Sequence, residues 1–295
     1  MLTALLGKCN CLKTKSHAVL NVRKLAFMII NTFSYLWTAS AVDAMCELST
    51  HGFHEFEVPI SSPHCWPDDM PPKTRLDARK RFEDSSVHIR SLNAGGYDIN
   101  LASPAKNMRR KSTDHIKDVI DLAYDWGVSD VVISPGTRRP MISPSLPMTF
   151  GWLYESLSVL MPRAEQAGVR LLLENTPYCF RPTFAEMAEI IKEVNSNALK
   201  IVYDVANAAY IQEDPVATVM AGHSMIGLIH ISDTGLDVWG HDPIGTGIID
   251  FKALGDALQK TGKMDEAVLE IIRENNPLEE IKNGISELRK RGWPL

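Results

Sequence analysis

The sequence predicts an α/β protein that folds as a single (β/α)₈ barrel. Its 295 residues are enough for one barrel of roughly 250 residues and an extension. Eight short apolar runs alternate with helical segments, and no change of composition along the chain marks a second domain. Four of these runs end on Glu174, Asp204, His230 and Glu270. A doubly wound open sheet is the structural alternative, but no glycine-rich phosphate loop follows any strand, which disfavours it.

The first half of the chain contains four predicted strands, each a short run rich in apolar residues. These strands are predicted over 25–31, 55–60, 88–94 and 131–134. Three of the helices between them are predicted over 40–52, 75–85 and 148–167. Ser112 is expected to begin the remaining helix, because apolar residues recur behind it at helical spacing, and Gly127 is expected to end it.

The second half repeats the alternation, with strands predicted over 169–174, 200–204, 227–230 and 267–270. Helices are predicted over 184–196, 213–222 and 277–292, and Asp250 is expected to cap one more. The segment 213–222 is the weakest of them, because it is short and carries Pro215. Residues 24–295 are therefore expected to form one barrel domain, and residues 1–23 a poorly ordered extension.

The composition is that of a soluble globular enzyme, with 45% hydrophobic and 23% charged residues. A net charge of −5 and a pI near 6.0 give no general attraction to nucleic acid or to an anionic membrane. No run reaches the ~18 apolar residues of a membrane span. The five cysteines are odd in number and irregular in spacing, so we expect free thiols in the reducing cytoplasm.

One segment offers a secretory alternative. Arg23 and Lys24 precede the apolar run LAFMII, and the following TASAVDA resembles a signal-peptide cleavage site. Polar residues interrupt that apolar run, however, and the same stretch is needed as the first strand and helix of the barrel. We therefore expect the segment to belong to the fold.

The four polar residues that end strands in the second half carry the expected chemistry. The carboxyl ends of the strands in a (β/α)₈ barrel converge on one rim, where active sites form. Three carboxylates and one imidazole on that rim would make a site for one divalent ion. The alternative is that each is a polar strand-end residue capping the next turn. Four in succession favour the metal site, which comprises Glu174, Asp204, His230 and Glu270.

Five sequence strings carry a resemblance to a known family. They are ENTP (174–177), DVANA (204–208), HISDT (230–234), GHDPIGTGIIDF (240–251) and LEII (269–272). Over about residues 24–292 the chain resembles the xylose isomerase-like TIM barrels, which include sugar and sugar-phosphate isomerases and epimerases, with endonuclease IV a distant cousin. The four ligand candidates are separated by 30, 26 and 40 residues. This spacing is closest to L-ribulose-5-phosphate 3-epimerase and related ketose 3-epimerases.

The resemblance implies a divalent-metal-dependent epimerase or isomerase of a keto-sugar or sugar phosphate. Glu174 and Glu270 would act as acid and base around an enediolate, while also binding the ion. The donor set favours Mn²⁺ over Zn²⁺, Co²⁺ or Mg²⁺. Alternatives are a dehydratase of a cyclic keto-polyol of the inosose or dehydroshikimate type, an endonuclease IV-like nuclease, and a non-catalytic sugar-binding barrel. We expect a small sugar as the partner, no nucleic acid and no membrane, and a homodimer or homotetramer.

Four further residues are candidates for substrate binding, each with a plainer alternative. Glu57 stands where the family often has a substrate-facing glutamate, but it could be an exposed strand-end carboxylate. Asn207 could bind substrate or orient a metal ligand, as Ser232 and Asp233 could also do. His241 could face the site or be an ordinary loop histidine. Arg138, beside Arg139, could hold a phosphate or carboxylate, or both could be solvated.

The chain departs from relatives at four positions. Asn93 and Ser134 stand where strands three and four often carry the histidines of the endonuclease IV zinc site, which disfavours DNA repair. Asn207 and Leu236 stand where the tagatose- and psicose-epimerase group usually has histidine and arginine. These two differences argue against a simple free-ketose epimerase of that type.

Overall fold

The computed structural model describes residues 28–295, except Tyr97, Arg138 and Pro140. Eight parallel strands close a barrel in chain order, and β8 pairs with β1 to complete it. The strands β1–β8 are Ile29–Asn31, Glu55–Pro59, His88–Asn93, Asp130–Ile133, Arg170–Glu174, Leu199–Asp204, Ile226–Ile231 and Ala267–Leu269. The predicted (β/α)₈ barrel is confirmed. The predicted extension over 1–23 lies outside the described residues.

The helices α1–α9 of the described part surround this barrel. They are Ala41–Thr50, Pro72–Asp84, Lys106–Trp126, Leu146–Ala167, Phe184–Val194, Val205–Tyr210, Pro215–Gly222, Phe251–Thr261 and Pro277–Lys290. Asp250 caps α8 as predicted, because its carboxylate accepts hydrogen bonds from the backbone N–H groups of Lys252 and Ala253, both at 3.0 Å. None of the described helices is both long enough and apolar enough to cross a membrane.

The prediction that Ser112 begins α3 is wrong, because the helix begins six residues earlier at Lys106. Ser112 lies inside the helix, where its Oγ accepts a hydrogen bond from the backbone N–H of Asn100 at 3.1 Å. Its hydroxyl therefore fastens the preceding loop instead of capping the helix. Gly127 ends α3 as predicted, with φ of 71°.

Alternating side chains of the strands point into the barrel and build its interior in layers. The lower layer is wholly apolar and consists of Ile29, Val132, Leu172, Val202, Leu228 and Val268. Two positions further along each strand, on the same face, the residues become polar. These residues are Asn31, Ser134, Glu174, Asp204, His230 and Glu270. The candidate site is therefore the top layer of the barrel interior, resting on an apolar floor.

Candidate active site

The four ligand candidates converge at the carboxyl end of the barrel. One side-chain donor atom from each of Glu174, Asp204, His230 and Glu270 lies within 4.8 Å of the others, and all four residues are buried. The first three residues lie on the consecutive strands β5, β6 and β7, and Glu270 directly follows β8. In the strand pairing, Asp204 lies directly opposite His230, while Glu174 and Glu270 come from the ends of the two flanking strands. The predicted cluster therefore exists as a geometric feature.

The donor atoms at its centre lack ordinary partners. His230 Nδ1 lies 3.2 Å from Glu174 Oε1 and 2.9 Å from Glu270 Oε2. Nevertheless His230 Nδ1, Asp204 Oδ2 and Glu270 Oε2 are buried atoms without a hydrogen-bond partner of acceptable geometry. Buried polar atoms left this way are costly unless something else binds them. Three carboxylates and one imidazole nitrogen fit a divalent ion, which these four residues would hold.

Glu57 supports the ring of His230 from the opposite side. Its carboxylate lies 3.0 Å from His230 Nε2, and neither side chain is exposed. Ser91 Oγ also donates to Glu57 at 2.6 Å, and Asn31 Nδ2 donates to it at 2.7 Å. The alternative of an exposed strand-end carboxylate is wrong. Contact between Glu57 and substrate stays a prediction, because the contacts present are those of a residue that orients a ligand.

Asn31 joins this support to a second ligand. Its side-chain amide donates to Glu57 Oε1 at 2.7 Å and to Glu270 Oε1 at 2.9 Å. Its own Oδ1 accepts the backbone N–H of Phe33 at 2.7 Å, which fixes the orientation of the amide. The buried amide of Asn31 thus positions both Glu57, which orients His230, and the ligand candidate Glu270. This role of Asn31 was not predicted, although its place at the end of β1 is the available signal.

Burial and charge oppose each other in the cluster. Burial acts to lower the pKa of His230, but the charges of Glu270 and Glu57 outweigh it and raise that pKa well above the ordinary value. Burial raises the pKa of Glu270 to about 7, although His230 opposes the shift. For Asp204, the raising effect of burial is outweighed by His241 and His230, so its pKa is lowered. The carboxylates therefore require a positive partner, whether a proton or a cation.

His241 lies at the edge of the cluster. Its Nδ1 is 3.5 Å from both Asp204 Oδ2 and Glu270 Oε2, and Ser232 Oγ lies 3.1 Å from the same nitrogen. The side chain is mostly buried, with 12% of its surface exposed. The structure thus places this predicted substrate-binding residue beside the ligands. Ser232, which could have oriented a metal ligand, contacts the ring of His241 instead.

Asparagines position Asp204 through its backbone and carboxylate. The backbone N–H of Asn207 donates to Asp204 Oδ1 at 2.7 Å, and this bond begins the unpredicted helix α6. Asn175 pairs with the Asp204 backbone through two hydrogen bonds, at 2.7 and 2.9 Å. Asn207 therefore orients a ligand candidate, while its contact with substrate stays a prediction. Asn175 was missed, although it follows Glu174 in the quoted ENTP string.

Asp233 organises the loop after β7 instead of reaching a ligand. Its buried carboxylate accepts backbone N–H groups of Gly245 at 2.9 Å, Gly247 at 2.8 Å and Ile249 at 3.2 Å. A Cβ at Gly247 would lie 2.2 Å from the carbonyl oxygen of Thr234. Both Asp233 and Gly247 are therefore needed for this loop to fold back on itself.

Of the remaining positions named from the sequence, two make hydrogen bonds, one is exposed and one lies outside the described residues. Asn93 donates to Glu57 Oε1 at 3.4 Å, and Ser134 Oγ accepts the backbone N–H of Gly136 at 3.2 Å. Leu236 is 53% exposed. Arg138, the fourth predicted substrate-binding residue, lies outside the described residues. Both positions that carry zinc-binding histidines in endonuclease IV thus have local hydrogen-bonding roles here.

Comparison with known proteins agrees with this architecture. The probable endonuclease 4 of Petrotoga mobilis is 24% identical over 225 residues, which cover 67% of this chain and 75% of the relative. Fructoselysine 3-epimerase of Shigella flexneri is 27% identical over 178 residues, or 59% of this chain and 63% of the relative. A solved D-tagatose 3-epimerase-like protein superposes with a TM-score of 0.77 at 23% identity, covering 90% and 97% of the two chains.

The family of this chain is identified by a match that covers most of its length. A model of the xylose isomerase-like TIM barrel family matches residues 47–291, which include seven of the eight strands and every ligand candidate. The resemblance found in the five sequence strings is thereby confirmed. On this match and on the closed eight-stranded barrel, the chain belongs to the xylose isomerase-like TIM barrel family.

Proposed function

We propose that this chain is a divalent-metal-dependent epimerase or isomerase of a keto-sugar or sugar phosphate. The observation that carries the proposal is the buried meeting of Glu174, Asp204, His230 and Glu270 around three unpartnered donor atoms. The carboxyl end of the barrel, where these residues meet, is where chemistry occurs in this architecture. Mn²⁺ is the ion that we favour, on the chemistry of the donors.

A bound divalent ion would act as a Lewis acid toward the keto oxygen and so ease proton loss from the adjacent carbon. The protein must then supply a base and an acid for that carbon. Glu174 and Glu270 are separated around the barrel by Asp204 and His230, so their carboxylates approach the cluster from different sides. We assign one of them to remove the proton and the other to return it.

Proton return distinguishes the two reactions within this proposal. Return to the same carbon from the opposite face gives an epimer. Return to the neighbouring carbon gives an aldose–ketose isomerisation. His241, 3.5 Å from both Asp204 and Glu270, is the next group able to exchange a proton with bound substrate.

The relatives support this proposal over the nuclease alternative. Fructoselysine 3-epimerase and the D-tagatose 3-epimerase-like protein both carry an epimerase name. The endonuclease relative is similar in sequence as well. This chain, however, has Asn93 and Ser134 at the positions of two zinc-binding histidines, and its net charge of −5 gives no general attraction to DNA.

The direct test is solvent deuterium incorporation. Protein loaded with Mn²⁺ would be incubated in D₂O with ketoses and ketose phosphates, and proton NMR would follow the carbon next to the carbonyl. We expect exchange and a new epimer or isomer with at least one compound, and none with Asp204→Asn. Water loss from a cyclic keto-polyol without ketose exchange would replace this proposal with the dehydratase. No reaction with either class would reject both.

A further inference from the structure

Aromatic rings extend from the candidate metal cluster toward the mouth of the barrel. His241 touches the cluster, and its ring centroid lies 6.0 Å from that of Trp239. Trp239 in turn lies 5.4 Å from Tyr178, with the two rings nearly edge to face at 75°. Tyr178 follows β5 and Trp239 follows β7. The two outer rings, Tyr178 and Trp239, are called the aromatic corner.

The indole of Trp239 is fixed by its polar edge. Its Nε1–H donates to Asn207 Oδ1 at 2.6 Å, and Asn207 is 1% exposed. The backbone N–H of the same asparagine donates to Asp204 Oδ1 at 2.7 Å. Asn207 therefore ties the position of the indole to that of a ligand candidate. Since the single polar atom of the indole is already used, its carbon faces are what it offers to another molecule.

The aromatic corner presents carbon surface at the rim. Tyr178 is 56% exposed, and the loop that carries Trp239 also exposes Val238 at 74%. Two arginines of the rim loops are already paired, because Arg181 contacts Glu186 and Glu189, while Arg273 contacts Asp242. The corner itself therefore offers ring and alkyl surface, which suits the C–H face of a sugar.

We propose that Trp239 and Tyr178 form a stacking subsite for a neutral sugar portion of the substrate, remote from the reacting carbons. The C–H face of a sugar is weakly positive and apolar, and it matches the negative face of an aromatic ring. The inference rests on the proposed function. It narrows the substrate class to keto-sugars that carry an uncharged sugar ring or polyol portion away from the reacting carbons.

The test separates binding from turnover. Methyl β-D-glucopyranoside has no carbonyl and cannot react, so saturation-transfer NMR on the Mn²⁺-loaded protein reports the subsite alone. Trp239→Ala should weaken this binding by about tenfold, the size expected for losing one stacked aromatic surface. Tyr124→Ala is the control, because Tyr124 is 64% exposed and belongs to the outer helix α3, away from the rim. It should bind the glucoside like the unaltered protein.

Two further measurements test whether the Trp239→Ala effect comes from the lost ring and not from a damaged fold. Mn²⁺ affinity of Trp239→Ala should stay unchanged, which shows that the barrel is intact. Trp239→Phe keeps a ring without the Nε1 donor and should retain most of the binding. Glucoside binding in Trp239→Ala equal to that of the unaltered protein would overturn the subsite.

The outcomes also distinguish this inference from the proposed function. Ketose turnover together with unaltered sugar binding in Trp239→Ala would reject the subsite and leave the enzyme assignment standing. Loss of glucoside binding in Trp239→Ala, with no deuterium exchange on any ketose, would reject the enzyme assignment and support the subsite. Where turnover is observed, Trp239→Ala should raise KM about tenfold with kcat nearly unchanged, because the contact lies away from the reacting carbons.

Discussion

Inside the barrel, His230 Nε2 lies 3.0 Å from Glu57 Oε1, and neither side chain is exposed to solvent. The carboxylate takes the Nε2 side of the imidazole, so Nδ1 is turned toward Glu174 and Glu270. Carboxylate support of this kind fixes the tautomer and the angle of a ligating histidine. A fourth buried carboxylate therefore stands next to the cluster without belonging to its ligand set.

Glu57→Gln should weaken Mn²⁺ binding by ~10–100-fold, because the neutral amide cannot hold the imidazole as the carboxylate does. Isothermal titration calorimetry on metal-free protein measures this directly. Glu55→Gln is the matched control on the same strand, since Glu55 pairs only with the partly exposed Arg90, at 3.4 Å. Unchanged Mn²⁺ affinity in Glu57→Gln, combined with weaker ketose binding, would instead support the predicted contact between Glu57 and substrate.

Glu174→Gln and Glu270→Gln should each lower turnover by at least ~10²–10⁴-fold, because general acid–base chemistry alone has that size. Loss of a negative metal ligand should increase the effect. Deuterium exchange at saturating Mn²⁺ measures it, and Glu165→Gln, on the outer helix α4, provides the control. If both variants bound Mn²⁺ normally and kept more than about a tenth of the activity, well above that range, His241 would become the leading candidate for the base.

Metal binding should stabilise the fold. An ion that binds only the folded state at a hundred times its Kd adds about 2.7 kcal/mol to the free energy of unfolding. Thermal unfolding with and without a chelator should therefore show a higher Tm for the loaded protein. Asp204→Asn should reduce the shift. A series with Mn²⁺, Zn²⁺, Co²⁺ and Mg²⁺ tests the preferred ion, and no shift with any of them would contradict the metal site.

Asp233→Asn should destabilise the protein by ~1–3 kcal/mol, because an amide nitrogen would then face backbone N–H groups inside a buried site. Gly247→Ala should act in the same direction, since its Cβ would meet the Thr234 carbonyl at 2.2 Å. Gly235→Ala is the control in the same loop, where the nearest atom to an added Cβ is 4.0 Å away. Chemical denaturation measures all three, and equal stability of both alanine variants would show that the loop can rearrange.

The fold and the candidate metal cluster were predictable because both follow from strand-end position. When eight strands close a parallel barrel, polar residues at the carboxyl ends of neighbouring strands meet on one rim. Glu174, Asp204 and His230 could therefore be placed together from the sequence alone. The start of α3 was mispredicted because Ser112 resembles a capping residue, whereas its hydroxyl bonds to the backbone of Asn100, 12 residues earlier.

Contacts that cross the barrel were not predictable in this way. Asn31 and Glu270 are 239 residues apart in sequence, and their hydrogen bond exists only because β1 and β8 are neighbours after closure. The bond between Trp239 and Asn207 likewise depends on the path of the loop after β7. Strand periodicity tells which residues face inward, but not which of them touch.

The loop after β7 is closed at its base by paired backbone hydrogen bonds between Asp233 and Asp242, at 2.9 and 2.7 Å. Near its far end Trp239 is anchored to Asn207. Between these fixed points the loop is exposed, with Leu236 at 53% and Val238 at 74%. We expect changes in the length or side chains of this stretch to leave the four ligand candidates in place, so that such changes alter the mouth of the barrel without altering the cluster beneath it.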